Sequence, residues 1–249
     1  MAAAILEGEA DPVLLVNGGG RSPCVLIAEH ASNRVPKTLG MLGLQASDLT
    51  RHIAWDIGAE QVARRLSRLI DAPLVLQRYS RLAYDCNRPP DSADAMPEIS
   101  ETTHIPGNRS LSPADRLARI REIYRPFHAA IGDLLDVRAA EGTQSVVVTV
   151  HSFTPVYKGK ARSVELGLLH DRDTRLAERL ITSFPGVDAR FNEPYGPEDG
   201  VLHTLNVHAA PRRLEHVMIE IRNDLVSEER GQQQWAERLC AALTQAVAH

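Results

Sequence analysis

The chain is predicted to fold as an α/β protein, with a mixed, mostly parallel sheet and helices on both faces. Three observations lead there. Short apolar runs such as Val25-Leu26-Ile27-Ala28 and Leu74-Val75-Leu76 lack polar alternation, as strands buried on both faces do. Stretches with helical apolar spacing stand between such runs. Hydrophobic residues make up 43% and charged residues 24% of 249, enough to fill a core and without a compositional sign of disorder. A single domain over 1–249 is expected, with 1–20 as a loosely ordered N-terminal extension.

Taken in order, the turn signal Asn17-Gly18-Gly19-Gly20 precedes the first strand, which ends at Glu29-His30. From Gly58 to Ile70, Val62, Leu66, Leu69 and Ile70 share one helical face while Glu60, Arg64, Arg65 and Arg68 fall outside it. Leu74 to Leu76 is the next strand, followed by irregular chain from Tyr79 to Pro90 and a long polar loop to Asn108. Ser112 before Pro113 starts a helix with the stripe Leu117, Ile120, Tyr124, Phe127, Ile131 and Leu134, in which Pro126 should make a kink. The β-branched run Ser145 to Val150 is the clearest strand, and it delivers His151 at its end. A strand over Ser163 to Leu169 and a helix over Asp173 to Ser183 follow. A strand over Leu214 to Ile221 contains Glu220, and Ser227 caps a terminal helix carrying Trp235, Leu239 and Leu243.

A net charge of −4 offers no field to concentrate polyphosphate, so nucleic acid is not an expected partner and a small molecule is. Cys24, Cys86 and Cys240 form no C-x-x-C pair, which predicts neither a disulfide framework nor a thiolate zinc site. The acidic start, with Glu7, Glu9 and Asp11, does not read as a secretory signal, and no apolar run reaches membrane-spanning length. The expected location is the cytoplasm. No oligomeric state is specified.

Ligands of such sheets bind outside the carboxyl ends of the strands. His30, His151 and Glu220 all stand there, so they are expected to converge. The two histidines make a candidate metal pair, and a catalytic zinc calls for a third ligand besides water. Asp56 is preferred for that place over Asn33 and Glu29, since Glu29 would point to the opposite face if the strand continued. Asp56 read alone is equally an ordinary helix-start aspartate. Glu220, a charge inside an apolar strand, is either a general base or half of a structural pair with Arg222. Tyr79-Ser80-Arg81 and Asp85-Cys86-Asn87-Arg88 crowd two arginines into one loop. They could clamp a carboxylate, or Asp85 could hold them in a purely structural network.

Other candidates are weaker. The Gly18-Gly19-Gly20 run lacks the Lys-Ser/Thr ending of a phosphate loop, and Ser32 and Ser152 sit outside any nucleophile elbow. His104, His128, His170, His203, His208 and His249 are expected on the surface or in loops, with His203 and His216 as possible supports for a metal ligand.

Glu29-His30-Ala31-Ser32, the Asp56 segment, Ser80-Arg81 through Pro89, Val150-His151-Ser152 and Ile219-Glu220-Ile221 together resemble the N-formylglutamate amidohydrolase family. The resemblance runs from Val25 to the terminal helix. It implies a zinc exopeptidase-like fold and hydrolysis of N-formylglutamate to formate and glutamate. It further implies Zn²⁺, or another divalent metal, on His30 and His151, with Asp56 preferred as the third ligand, and places Glu220 and Arg81 in the catalytic set. Asn87, Arg88 and Arg222 are placed with an acidic substrate. Two positions depart from the pattern: Asn33 stands where the exopeptidases carry a glutamate ligand, and Thr149 where many relatives carry an aspartate. The first leaves the third ligand open among Asp56, Asn33 and Glu29, and both leave open a non-catalytic module that binds acidic ligands; hydrolysis of another N-acyl amino acid or small peptide stays open because isolated motifs do not fix a pocket's choice.

Overall fold

The protein is described here by a computed structural model covering residues 4–248; His249 and the first three positions of the expected extension lie outside the described residues. Seven strands form one sheet: β1 Val13–Val16, β2 Cys24–Ala28, β3 Leu74–Gln77, β4 Val146–Phe153, β5 Leu166–Leu169, β6 Ala189–Phe191 and β7 His216–Arg222. Their spatial order is β1-β3-β2-β4-β7-β5-β6. The four central strands β3, β2, β4 and β7 run parallel, and antiparallel pairing occurs where β1 meets β3 and where β7 meets β5. The sheet is mixed and mostly parallel, as expected.

Both faces are covered, which is why the central strands carry no polar alternation. Cys24, Leu26 and Ala28 join one apolar cluster while Val25 and Ile27 join the other. The first cluster is completed by α1 Ala59–Leu69, α4 Arg175–Ile181 and α6 Glu229–Val247. On the opposite face lie α2 Pro113–Arg119, α3 Arg125–Ala140 and α5 His203–His208. Ser112 caps α2 by accepting from the Asp115 N–H.

Two expectations change, and two others gain detail. Within residues 4–20, β1 pairs along the sheet edge with β3, and Ile5 is buried with its N–H held by Glu122. Pro126 falls in the first turn of α3, directly after a π turn over Ile120–Tyr124, so the helix is interrupted beside the proline. Glu228 rather than Ser227 precedes α6, because the Ser227 hydroxyl is donated back to the Asp224 carbonyl. His128 and His208 are buried rather than on the surface. His128 Nδ1 lies 2.8 Å from His208 Nε2, and its Nε2 lies 2.9 Å from the Cys86 carbonyl.

Burial pushes the pKa of His128 down to about 4 and that of His208 to about 3, so both are neutral in the fold. Unfolded, each takes up a proton near pH 6.5, so the unfolded chain binds more protons between pH 6.5 and about 4 and stability falls as pH falls through that window. Urea midpoints should therefore decline from pH 7 to pH 4, and less steeply in His208→Gln, which retains a hydrogen-bonding side chain but cannot titrate. Equal slopes would show that this pair does not govern the decline.

Candidate active site

The site forms where β2 and the middle of the sheet meet the loops above them. β2 stops at Ala28, and the chain turns at Glu29-His30. The Asp56 N–H donates to the His30 carbonyl, 2.9 Å, which locks the Asp56 loop against that turn. Gly58 follows in a left-handed conformation, φ 81°, and a β-carbon there would run into the Val226 carbonyl, so the close approach of this loop depends on glycine. His151 lies within β4, because the strand continues to Phe153 beyond its expected end. In the parallel ladder Glu220 of β7 is the register partner of His151.

Asp56 joins the two histidines. Its Oδ2 lies 2.8 Å from His151 Nδ1 and 3.4 Å from His30 Nδ1, and the Ser152 N–H donates to the same oxygen at 3.3 Å. The opposite ring nitrogens also face carboxylates: His30 Nε2 is 2.7 Å from Asp85 Oδ1 and His151 Nε2 is 2.9 Å from Glu29 Oε2. The Asp85 hydrogen bond to His30 Nε2 suits the tautomer whose lone pair is on Nδ1, the arrangement that metal-binding imidazoles use, and Glu29 stands at ion-pair distance from His151 Nε2. His30, Asp56 and His151 are all buried, and each offers a ligand atom within 4.8 Å of the others. Two imidazole nitrogens and a carboxylate oxygen make a donor set suited to zinc. This group could hold a metal ion.

The electrostatics follow from burial. Burial opposes ionisation of Asp56, but the charges and bonds of His30 and His151 outweigh it and hold the carboxyl below the usual range. In Glu220 burial outweighs the opposing charges of His151, His30 and Arg81 and pushes it up to about 7, and its Oε2 has no hydrogen-bond partner. Gly167 on β5 is the antiparallel register partner of Glu220, and the lack of a β-carbon there lets the Glu193 carbonyl after β6 approach β5 closely.

A cavity of about 450 Å³ opens over this group, lined among others by His30, Asp56, Arg81, Asn87, Arg88, His151 and Glu220. Arg81 is ion-paired, 2.7 Å from Asp85 Oδ2 and 3.6 Å from Asp56 Oδ1, so the structural network and the cleft-lining arginine are both realised. Asn87 stands in the wall, but its amide is committed to the backbone, donating to the Val201 carbonyl and accepting from the Thr204 N–H at 3.0 Å. It fixes the wall rather than presenting a free amide to a ligand. Arg88 donates to the Asp199 carbonyl at 2.8 Å.

Arg222 is not in the cleft. As the last residue of β7 before a 3₁₀ turn, it folds onto Asp224 Oδ1 and the Ser163 carbonyl, both 2.8 Å away, which removes both the substrate role and the pairing with Glu220. Asn33 is likewise elsewhere, donating to the Leu49 carbonyl. Thr149 is buried beneath the site with its hydroxyl unpaired. Neither His203 nor His216 supports the histidine pair: His203 meets the Tyr124 hydroxyl, and His216 lies at the far end of β7. Sequence reasoning missed the partner roles of Glu29 and Asp85, and missed Arg162 and Tyr195 in the cavity wall. For Glu29 the one available signal was its adjacency to His30.

A buried carboxylate oxygen left unpartnered beside a His-Asp-His group, in a crevice at the strand ends of an α/β sheet, is an arrangement that suits a hydrolytic enzyme. Comparison with known proteins carries this further. The family model described as N-formylglutamate amidohydrolase matches residues 22–227. The crystal structure of gene product Atu2144 from Agrobacterium tumefaciens superposes with a TM-score of 0.96 at 48% sequence identity, over 99% of this chain and 98% of that one. N-formylglutamate amidohydrolase from Ralstonia eutropha JMP134 shares the fold, with a TM-score of 0.74 at 19% identity over 95% of this chain and 98% of that one. No curated protein matches the sequence. The chain belongs to the N-formylglutamate amidohydrolase family, and it is an amidohydrolase.

The carboxylates behind the histidines should be measurable without turnover. In Glu29→Gln, zinc affinity measured by competition with a chromophoric chelator should fall by about 10- to 100-fold, the usual cost of losing such a support. An unchanged affinity in a folded variant would show that Glu29 does not orient His151.

Proposed function

We propose that the chain hydrolyses the amide bond of an N-acyl amino acid, first among them N-formyl-L-glutamate, to formate and glutamate, with a divalent metal on His30, Asp56 and His151. The observation that carries this reading is the convergence of both Nδ1 atoms on Asp56 in the same cavity as the unpartnered Glu220. Zinc, the metal that best suits these donors, would polarise the amide carbonyl and acidify a water molecule when bound.

The residues of the chain supply the remaining steps. Glu220, its pKa lifted by burial to about 7, accepts a proton from the attacking water and returns it to the departing amine nitrogen. Its position in the ladder beside His151 keeps it from drifting away from the reacting carbonyl. Arg81, whose guanidinium edges the cavity while Asp85 and Asp56 hold it, places fixed positive charge where the carbonyl oxygen becomes an anion. Arg88 offers its free donors to a substrate carboxylate in bidentate form, a geometry that lysine does not match.

Two measurements test the proposal. Dialysis against a chelator should abolish release of formate from N-formylglutamate, and zinc add-back should restore it; full activity after verified metal removal would refute the metal's role. Glu220→Gln should lower kcat by at least about 100-fold while leaving substrate binding largely intact, as expected of a proton-transfer group. Near-normal turnover in that variant would remove Glu220 from the role.

A further inference from the structure

One arginine in the cleft is held without being neutralised. Arg162 follows the small hairpin made by Val156–Tyr157 and Lys160–Ala161, and it lines the same cavity as His151 and Glu220. Its guanidinium carbon lies 4.6 Å from the Tyr157 ring centroid, 4.8 Å from that of Tyr195 and 5.8 Å from that of Phe153. Its Nη1 donates to the Tyr195 hydroxyl at 3.0 Å. Among the described residues no carboxylate forms an ion pair with it, whereas Arg81 in the same cavity has two. Aromatic faces hold a guanidinium in place through its charge and its flat shape, yet leave the charge uncancelled and most of its N–H donors open. A structural arginine of the fold looks different: Arg119 is buried with its donors on the Ala83 and Gly107 carbonyls and the Asn108 side chain.

A cation so arranged is preorganised for an anion that comes from outside. Arg88, on another part of the wall, also lacks a carboxylate partner among the described residues and is the counterpart for one acidic group. Arg162 supplies a second. We propose that Arg162 is a specificity-determining residue that binds the side-chain carboxylate of the N-acyl amino acid, so that the cleft selects dicarboxylates over monocarboxylates of the same shape. This rests on the amidohydrolase reading of the cleft given above. Tyr157, Tyr195 and Phe153, which line the same cavity, also hold the Arg162 guanidinium in place.

The test compares N-formylglutamate with N-formylglutamine, which differ by one charge at nearly constant shape, on the zinc-loaded enzyme. The wild type should favour the acid, and Arg162→Gln should reduce the acid-to-amide ratio of kcat/KM by about 10- to 100-fold, the range for a charge-assisted hydrogen bond. Arg162→Lys should keep part of the preference, and Tyr195→Phe should weaken it. Calorimetric binding of glutarate against glutaramate gives a second readout that needs no turnover, and Arg162→Gln should lose the preference for glutarate. An unchanged ratio in folded Arg162→Gln, or a wild type that hydrolyses both substrates without preference, would overturn the assignment. If the wild type hydrolyses neither substrate, the proposed reaction fails separately, and the glutarate comparison still decides the role of Arg162.

Discussion

The buried carboxylate of Asp56, shared between two imidazoles, is the interaction around which the rest of the site is arranged. An isolated charge at that depth would be strongly destabilising, so it persists only because His30 and His151 face it and the Ser152 N–H bonds it. The histidines need anchors in turn, which Asp85 and Glu29 provide from behind. Arg81 then balances Asp85 and approaches Asp56 from the cavity side. Four carboxylates, counting Glu220, thus lie around two histidines and one arginine. Glu220 is the one in which burial outweighs the opposing charges, and the chemistry proposed above depends on that difference.

Much of this was legible in the sequence, for identifiable reasons. β2, β3, β4 and β7 are buried on both faces, so their apolar runs stand out. The edge strands were harder to see. β1 leaves Leu15 half exposed and gains its structure from pairing with β3, and β6 is three residues long and carries Arg190. Neither shows a pattern that periodicity can detect. The helix from Ala59 to Leu69 and the capped start at Ser112 followed directly from apolar spacing and cap chemistry.

In the candidate site, two of the three proposed metal ligands, His30 and His151, follow recognisable strands and the third, Asp56, precedes a recognisable helix, and the structure brings them together. The errors came from extending strand parity too far. Glu29 is not in the ligand group, as expected, but not because it points away: β2 ends at Ala28 and the turn brings Glu29 against His151. Arg222 shares parity with Glu220, yet it stands where β7 breaks, so its neighbours in the next turn capture it. Arg162 had no local signal at all. Its significance comes from three rings, two of them on other parts of the chain, and from the lack of a carboxylate partner among the described residues. His128 and His208 were hidden in the same way, since each is ordinary in its own helix and only packing joins them.

The register between Glu220 and His151 has a wider consequence. The backbones that carry Glu220 and His151 are one inter-strand step apart, roughly 4.8 Å. No loop contributes to this spacing. Insertions or deletions around the rim could therefore remodel the entrance, admitting bulkier or differently charged molecules, while this internal ruler stays the same length.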